Sequence, residues 1–341
     1  MVSFIQIDER GGDGLFKRSS RVSPPSSSGR EKKRADRKAD GRNSEKPRAG
    51  AKKRSFPTIS FPLWLGVTVI ALAIAVCFAL NALNPAGDPD GDLHVHFIDV
   101  GQGDAALLCA PDCAVLIDAG PTDARYATAN YVAEHAEKLD LMILTHPHED
   151  HIGGAAQILD RVPVTKVLTP DVTSTAAAFE RTLDAIEANG VKAEIASPGD
   201  VFNVGKMRLT VLAPLSVDGD NINNCSLVVR VDYGKTSFLF TGDAERESER
   251  LMLDAYPVTT LDCDVLKVGH HGSSTSSAAE FLDALRPQIA VISVGADNDY
   301  GHPAEETLSR LAKYGAETVL RTDRDGTVTL VSDGEAVRPE E

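Results

Sequence analysis

Residues 144–154 read Leu-Thr-His-Pro-His-Glu-Asp-His-Ile-Gly-Gly. Three of the chain's nine histidines and two carboxylates fall within six positions, His146 to His151. Neutral imidazole is a common ligand for zinc and related metals. His146 and His148, alternate residues in an extended turn, can aim at one ion. Asp150 and His151, one step on, can aim at a second. The competing reading is a polar surface loop that happens to hold histidines. A lone histidine is usually that, or a hydrogen-bonded core residue, but three directly after a buried apolar strand are not explained so. Two ions held close together lower the pKa of a shared water and polarise the oxygen under attack, which is hydrolytic chemistry. In that chemistry Asp150 would orient the hydroxide and shuttle its proton.

Such a loop needs rigid elements behind it. Leu-Asp-Leu-Met-Ile-Leu-Thr-His, 139–146, reads as a buried strand running into the site, and Gly153-Gly154 lets the chain turn tightly into the next helix. Before it, 93–99, 104–110 and 114–118 read as short strands, and 125–139 as an amphipathic helix. After it come a helix at 153–162, a strand at 164–169 and a helix at 176–190, stopped by Gly190. Strands follow at 207–214, 225–234 and 235–243, the last two joined as a hairpin through Tyr233-Gly234-Lys235. The remainder alternates: helix 245–256, strand 263–271, helix 277–286, strand 288–295, helix 304–315, then strands 317–322 and 326–332. Two β-rich halves, each with its own helices, predict two sheets packed face to face with helices outside, an αββα sandwich of the α/β class over 93–331, with a tail at 332–341.

The N-terminal region is a different object. Residues 1–54 hold 16 Lys and Arg against 7 Asp and Glu, whereas the remainder holds 19 against 43; the formal net charge of −15 averages the two. The arm 1–54 lacks apolar periodicity and is expected to be disordered. From Ser55 to Gly87 there is no charged side chain, and 61–83 is long enough to cross a bilayer as one helix. Lys52-Lys53-Arg54 precede it, and Asp88, Asp90 and Asp92 follow a Pro/Gly linker at 84–92. The positive-inside rule then predicts a single-pass cell-membrane protein with a cytoplasmic N-terminus and the body outside. The cysteines, Cys77, Cys109, Cys113, Cys225 and Cys263, form no CxxC pair. Cys109 and Cys113 flank a short turn and, outside the cytoplasm, can form a disulfide; the alternative is two buried free thiols.

His146-Pro-His148-Glu-Asp150-His151 is similar to the HxHxDH signature of the metallo-β-lactamase superfamily. The resemblance runs over about 93–331, where HFIDVGQGDAALL, LIDAG, TGD, GHHGS and YGHP occur in order. This set resembles the ComEC-like branch, the metallo-hydrolase domains of bacterial DNA uptake. The resemblance implies a metallo-β-lactamase-like fold and two divalent metal ions, Zn²⁺ first and Mn²⁺ as the alternative. It implies His146 and His148 on metal one, Asp150 and His151 on metal two, Asp243 as the bridging carboxylate, and His270 as the last ligand of metal two, with His271 as the neighbouring choice and a catalytic candidate. Many members supply a third metal-one histidine; here no histidine lies between His151 and His270, and Asn224 or Ser226 stands in that stretch. Asp99 and Asp104 frame the Gly-Gln-Gly turn, where a carboxylate can orient a ligand histidine or merely shape the turn. Asp118 can support the histidine loop, His302 can reach a substrate, and Ser273 heads a hydroxyl cluster that can hold a phosphate.

The function expected from these residues is a membrane-anchored phosphodiesterase or nuclease of ComEC-like type. The alternatives are a hydrolase of small esters, lactones or lactams, and an inactive metal-binding module. The expected partners are the membrane, through one span, and DNA or another phosphodiester; protein partners are not legible. The acidic body repels a polyanion unless metal ions and local basic groups offset it.

Overall fold

The computed structural model describes residues 91–217, 221–314 and 316–340. The basic arm, the span at 61–83, Cys77 and all but the end of the linker lie outside the described residues. Among the described residues no helix is long and apolar enough to cross a membrane.

Among the described residues, fifteen strands form two sheets. The first strands are β1 (Leu93–Phe97), β2 (Ala106–Ala110), β3 (Cys113–Ile117), β4 (Leu141–Ile143), β5 (Lys166–Thr169) and β6 (Lys192–Ile195). Next come β7 (Val201–Val204), β8 (Met207–Ala213), β9 (Val228–Tyr233), β10 (Thr236–Phe240), β11 (Val265–Lys267), β12 (Ile289–Ile292) and β13 (Thr318–Arg321). β14 (Val328–Ser332) and β15 (Val337–Pro339) close the chain. One sheet runs β15-β14-β1-β2-β3-β4-β5-β6 and the other β13-β12-β11-β10-β9-β8-β7. Each is antiparallel in one half and parallel in the other: β3 to β6 are parallel, as are β10 to β13.

The strands form because their apolar residues follow a period of two. Leu108, Val115, Ile117, Leu141 and Ile143 of the first sheet point inward against Leu209, Val229, Val231, Phe238 and Val291 of the second. Their neighbours Leu107, Leu116 and Met142 point outward under the helices Arg125–His135, Ala155–Arg161 and Ala177–Ala188. Leu239, Leu266, Ala290 and Ile292 do the same under Arg246–Ala255, Ala279–Leu285 and Glu305–Lys313. Both faces of both sheets are therefore covered, in four layers of helix, sheet, sheet and helix. The hairpin between β9 and β10 turns at Gly234, whose φ is +61°.

Three strands exceed the sequence expectation. β6 (Lys-Ala-Glu-Ile) and β7 (Val-Phe-Asn-Val) are edge strands too polar and short to show a pattern. β15 pairs with β14 inside the stretch expected to be a tail. Of the two alternatives for the thiols, the free pair holds: Cys109 and Cys113 are not bonded. Cys113 lies opposite Ala110 rather than Cys109, so the pleat sends the two thiols to opposite faces. Cys109 packs under the helices and Cys113 faces the other sheet.

Phe97 of β1 stacks on Phe240 of β10 across the inter-sheet core, with ring centroids 5.8 Å apart. Phe240→Ala is expected to lower unfolding free energy by about 3–5 kcal/mol, the range for an emptied aromatic core position. Urea unfolding followed by circular dichroism measures it; a loss below about 1 kcal/mol would mean that the sheets do not depend on this contact.

Candidate metal centre

The parallel strands of both sheets end at one edge, and the chemistry gathers in the segments just after them. Asp118 follows β3, Thr145 and His146 follow β4, Asp243 follows β10, and His270-His271 follow β11. The inner-face alternation that packs the sandwich thus also aims these residues at a common point.

Asp118 anchors the first half. Its φ of +60° is in the left-handed region that aspartate tolerates better than most residues. It accepts from the Thr145 amide at 2.8 Å and the Thr145 hydroxyl at 2.7 Å, which fixes the end of β4. It also lies 2.8 Å from His151 Nδ1, which holds that ring with Nε2 toward the centre. His151 and Asp150 sit on the short helix Glu149–Ile152. Gly103 and Gly153 make this possible through space. A Cβ on Gly103 would meet Pro121 Cδ at 2.9 Å and the Asp150 backbone closer still. One on Gly153 would strike backbone near Pro121. Gly153 has ordinary helical dihedrals, so close approach, rather than an unusual turn, requires it.

His271 Nε2 lies 3.1 Å from Asp150 Oδ2 and 3.6 Å from Asp243 Oδ1. Its Nδ1 donates to the Ser293 carbonyl at 2.9 Å and stands 3.1 Å from Asp104 Oδ1. Asp104 in turn forms a buried ion pair with Lys267 at 2.5 Å. Asp150, His151, Asp243 and His271 thereby offer donor atoms all within 4.8 Å of one another. His146, His148 and Asp243 form a second such group. Asp243 belongs to both: Oδ1 is 3.2 Å from His151 Nε2, and Oδ2 is 3.8 Å from His146 Nε2. A third triple, Asp104, Asp118 and His151, is a supporting layer, since Lys267 already pairs with Asp104 and Asp118 already holds the far nitrogen of His151.

The donor set fits divalent ions. His151 Nε2 and Asp243 Oδ1 are buried and have no hydrogen-bond partner, an arrangement costly unless a cation satisfies them. The protonation pattern agrees. Burial, with His151 beside it, holds His146 well below the usual histidine value. Burial also opposes charge on His151, yet Asp243, Asp118 and Asp150 hold it well above that value. His271 is buried too, but Asp243 and Asp104 push it up to about 10. Burial disfavours the Asp243 and Asp150 carboxylates, and the surrounding imidazoles nevertheless pull both below the usual range. The pocket is built for positive charge.

Several expected residues are placed differently. His271, not His270, joins Asp150 and His151. Asp99 is exposed; its carboxylate receives the Gly101 amide, the turn-forming alternative, and its own amide donates to the Thr327 hydroxyl. Asn224 Oδ1 receives the amides of Glu245 and Ser248 at the start of the next helix. Ser226 lies behind His146, 3.3 Å from Nδ1. Neither therefore stands where a third metal-one ligand would. Ser273 spends its hydroxyl on Thr275 inside its own loop. His302 is half-buried at the mouth, its ring 5.6 Å from that of His270 and stacked on the exposed Tyr300. Sequence reasoning missed Thr145, Lys267, Ser293 and Glu245. Lys267 carried a legible signal: it occupies an inward position two residues after Val265 in an apolar strand.

Residues 98–296 match the family model described as the metallo-beta-lactamase superfamily. The chain is 35% identical over 254 residues to ComE operon protein 3 of Bacillus subtilis, covering 69% of this chain and 32% of that protein. It is 30% identical over 246 residues to Recombination protein 2 of Haemophilus influenzae, covering 71% and 29%. It is 29% identical to Competence protein ComA of Neisseria gonorrhoeae, covering 78% and 36%. The chain thus spans about a third of the length of these relatives. Among solved structures, the metallo-beta-lactamase fold protein YhfI of Bacillus subtilis aligns at 15% identity with a TM-score of 0.47, covering 68% of this chain and 97% of that one.

Asp118→Asn keeps the acceptor for the Thr145 amide but removes the charge that orients His151. It is expected to weaken metal binding about 10–100-fold, as loss of a partner behind a ligand histidine does, with the far-ultraviolet spectrum unchanged. Chelator competition measures the affinity; wild-type affinity in a folded variant would remove Asp118 from the support of the site.

Proposed function

We propose, from the premise that the chain belongs to the metallo-beta-lactamase superfamily, that it is a metal-dependent hydrolase whose substrate is a phosphodiester, DNA in particular. The observation that carries the hydrolase reading is the pair of buried atoms His151 Nε2 and Asp243 Oδ1, 3.2 Å apart with no hydrogen bond made, enclosed by Asp150 and His271. The phosphodiester reading rests on the similarity to proteins named for competence and on the ComEC-like motifs.

Two divalent ions held there would supply Lewis acidity toward a phosphoryl oxygen and a water acidic enough to ionise near neutral pH. Asp243, 2% exposed at its side chain, can only hold such ions; Asp150, at 30%, also faces the mouth. Asp150 is thus the carboxylate that can orient an incoming water and receive its proton, with His271 Nε2 beside it at 3.1 Å as a fellow donor to the same ion. His302 lines the mouth beside His270 and is placed to touch a bound substrate. The body is acidic, but guanidinium groups stand near the site. Arg125 and Arg181 bond to Thr122, whose amide donates to Glu149 beside Asp150. The exposed Arg246 donates to the Ser274 carbonyl. These supply the local positive charge that a polyanion needs.

The uncharged stretch 55–87 and its flanking charges support a single membrane span with the hydrolase domain outside the cell. Protease added to intact cells is then expected to remove the body and spare the arm; a protected body would reverse the topology.

Asp150→Ala is expected to remain folded, because the strands do not depend on one carboxylate of the short helix after β4. Its turnover of a phosphodiester reporter should fall by at least about 10²–10⁴, the usual contribution of a positioned base, with lower bound metal. Circular dichroism, metal analysis and reporter rates on the full chain decide this. A wild type that binds metal yet cleaves neither reporter nor DNA would overturn the substrate reading, and a folded mutant with full activity would overturn the role of Asp150.

A further inference from the structure

His270 stands outside the two groups of converging donors, yet it is arranged as a ligand. His151 has Asp118 at its Nδ1 and His271 has Asp104 at its Nδ1, each with Nε2 toward Asp243. His270 repeats this: Nδ1 is 3.2 Å from Glu245 Oε1, and Nε2 is 3.6 Å from Asp243 Oδ2. A carboxylate behind one ring nitrogen is the usual support of a metal-bound histidine, since it fixes the ring and raises the basicity of the other nitrogen. The oxygen that His270 faces is Oδ2, the one that faces His146, whereas His151 and His271 face Oδ1. Donors around a tetrahedral ion with bonds of about 2.0–2.1 Å lie roughly 3.3 Å apart, so 3.6 Å is close to a shared-ion separation.

Glu245 is itself fixed. It accepts from Asn221 Nδ2 at 2.9 Å, Asn223 Nδ2 at 3.2 Å and the Thr275 hydroxyl at 3.0 Å. Asn223 opens, and Asn221 just precedes, the stretch 223–227 that holds no third metal-one histidine. That stretch delivers no ligand but holds the carboxylate that holds His270. The backbone supports the same placement. His270 and His271 both adopt left-handed dihedrals, with φ of +49° and +52°, a costly conformation for non-glycine residues. Consecutive residues are thereby able to present both rings to the centre, one to each oxygen of Asp243.

We propose that His270 supplies the third imidazole of the ion held by His146 and His148, and that Glu245 is its positioning residue. This rests on the reading of the cluster as a two-metal centre and is independent of the substrate.

The test measures metal rather than turnover. The full chain is loaded with Zn²⁺, and bound metal and affinity are read by elemental analysis and chelator competition. The variants are His270→Ala, Glu245→Gln, His146→Ala, His271→Ala and the pairs His270→Ala/His146→Ala and His270→Ala/His271→Ala. The wild type is expected to hold two equivalents. His270→Ala should weaken one equivalent about 10–100-fold or lose it, and Glu245→Gln should weaken the same one by a smaller factor within that range. The His270/His146 pair should still hold one tight ion, because both residues serve one ion, and the His270/His271 pair should hold none tightly. Circular dichroism on the chelated proteins separates ligand loss from unfolding; if His270→Ala unfolds, His270→Gln and Glu245→Gln carry the comparison. Two wild-type equivalents in folded His270→Ala or His270→Gln would overturn the proposal. So would a His270/His271 pair that keeps one tight ion. Two bound ions with the predicted losses, in a protein that cleaves no phosphodiester, would uphold it and remove only the substrate reading.

Discussion

Buried negative charge is the constraint on which this structure depends. Asp104, Asp118 and Asp243 are almost wholly buried and Asp150 mostly so, all at one end of a sandwich. Two like charges 4 Å apart repel by about 4 kcal/mol at an effective dielectric of 20, so four carboxylates here would oppose folding without cations. Among the described residues, Lys267 supplies a fixed cation against Asp104. The remaining balance falls to imidazoles held above their usual pKa and to metal ions. A ligand histidine must be neutral to bind, so loading His151 and His271 displaces protons, and metal affinity and proton affinity compete for the same nitrogens.

The same constraint explains where the site lies. Every ligand follows a strand of the parallel half of a sheet, and the two parallel halves come from different parts of the chain. The first sheet contributes His146, His148, Asp150 and His151; the second contributes Asp243, His270 and His271. The site is complete only when the inter-sheet core around Phe97 and Phe240 has brought the sheets together. Folding energy is stored there as strained backbone. Asp118, His270 and His271 are non-glycine residues with positive φ, each costing on the order of 1–3 kcal/mol; the two histidines turn their rings toward Asp243, and Asp118 holds His151 from behind.

The parts legible in the sequence were those with a local signature. Period-two apolar runs fixed most strands and the layering, because burial on both faces of a sheet leaves a pattern within single segments. The cluster His146 to His151 was legible because its ligands are near neighbours in the chain. Its supporting residues were not, since Asp104, Glu245 and Lys267 gain their meaning only across loops and sheets. Of these, Lys267 alone breaks a local pattern. His270 and His271 could not be separated by spacing, because consecutive left-handed residues follow neither helix nor strand geometry. The choice between a disulfide and two free thiols at Cys109 and Cys113 was open for a related reason: proximity in sequence says nothing of pleat parity, and one position of offset sends them to opposite faces.

Asp243 shows why supporting residues matter as much as ligands. Its carboxylate is shared by both donor groups, so each oxygen must keep its own side. Nothing in an isolated aspartate imposes that; rotation about its side-chain bonds would exchange the oxygens. Here the Asp243 amide donates to Ser226 Oγ, and Ser226 Oγ in turn lies against His146 Nδ1. The serine in the stretch that lacks a ligand histidine thereby ties the backbone of the bridging residue to the ring of the first histidine. Gly242, at φ of +50°, admits this approach, since a Cβ there would come within 3.1 Å of Ser226 Cβ and 2.9 Å of Thr145 Oγ1. The segment from Asn221 to Ser226 therefore acts on both halves of the centre without touching an ion: through Glu245 it holds His270, and through Ser226 it holds Asp243 against His146.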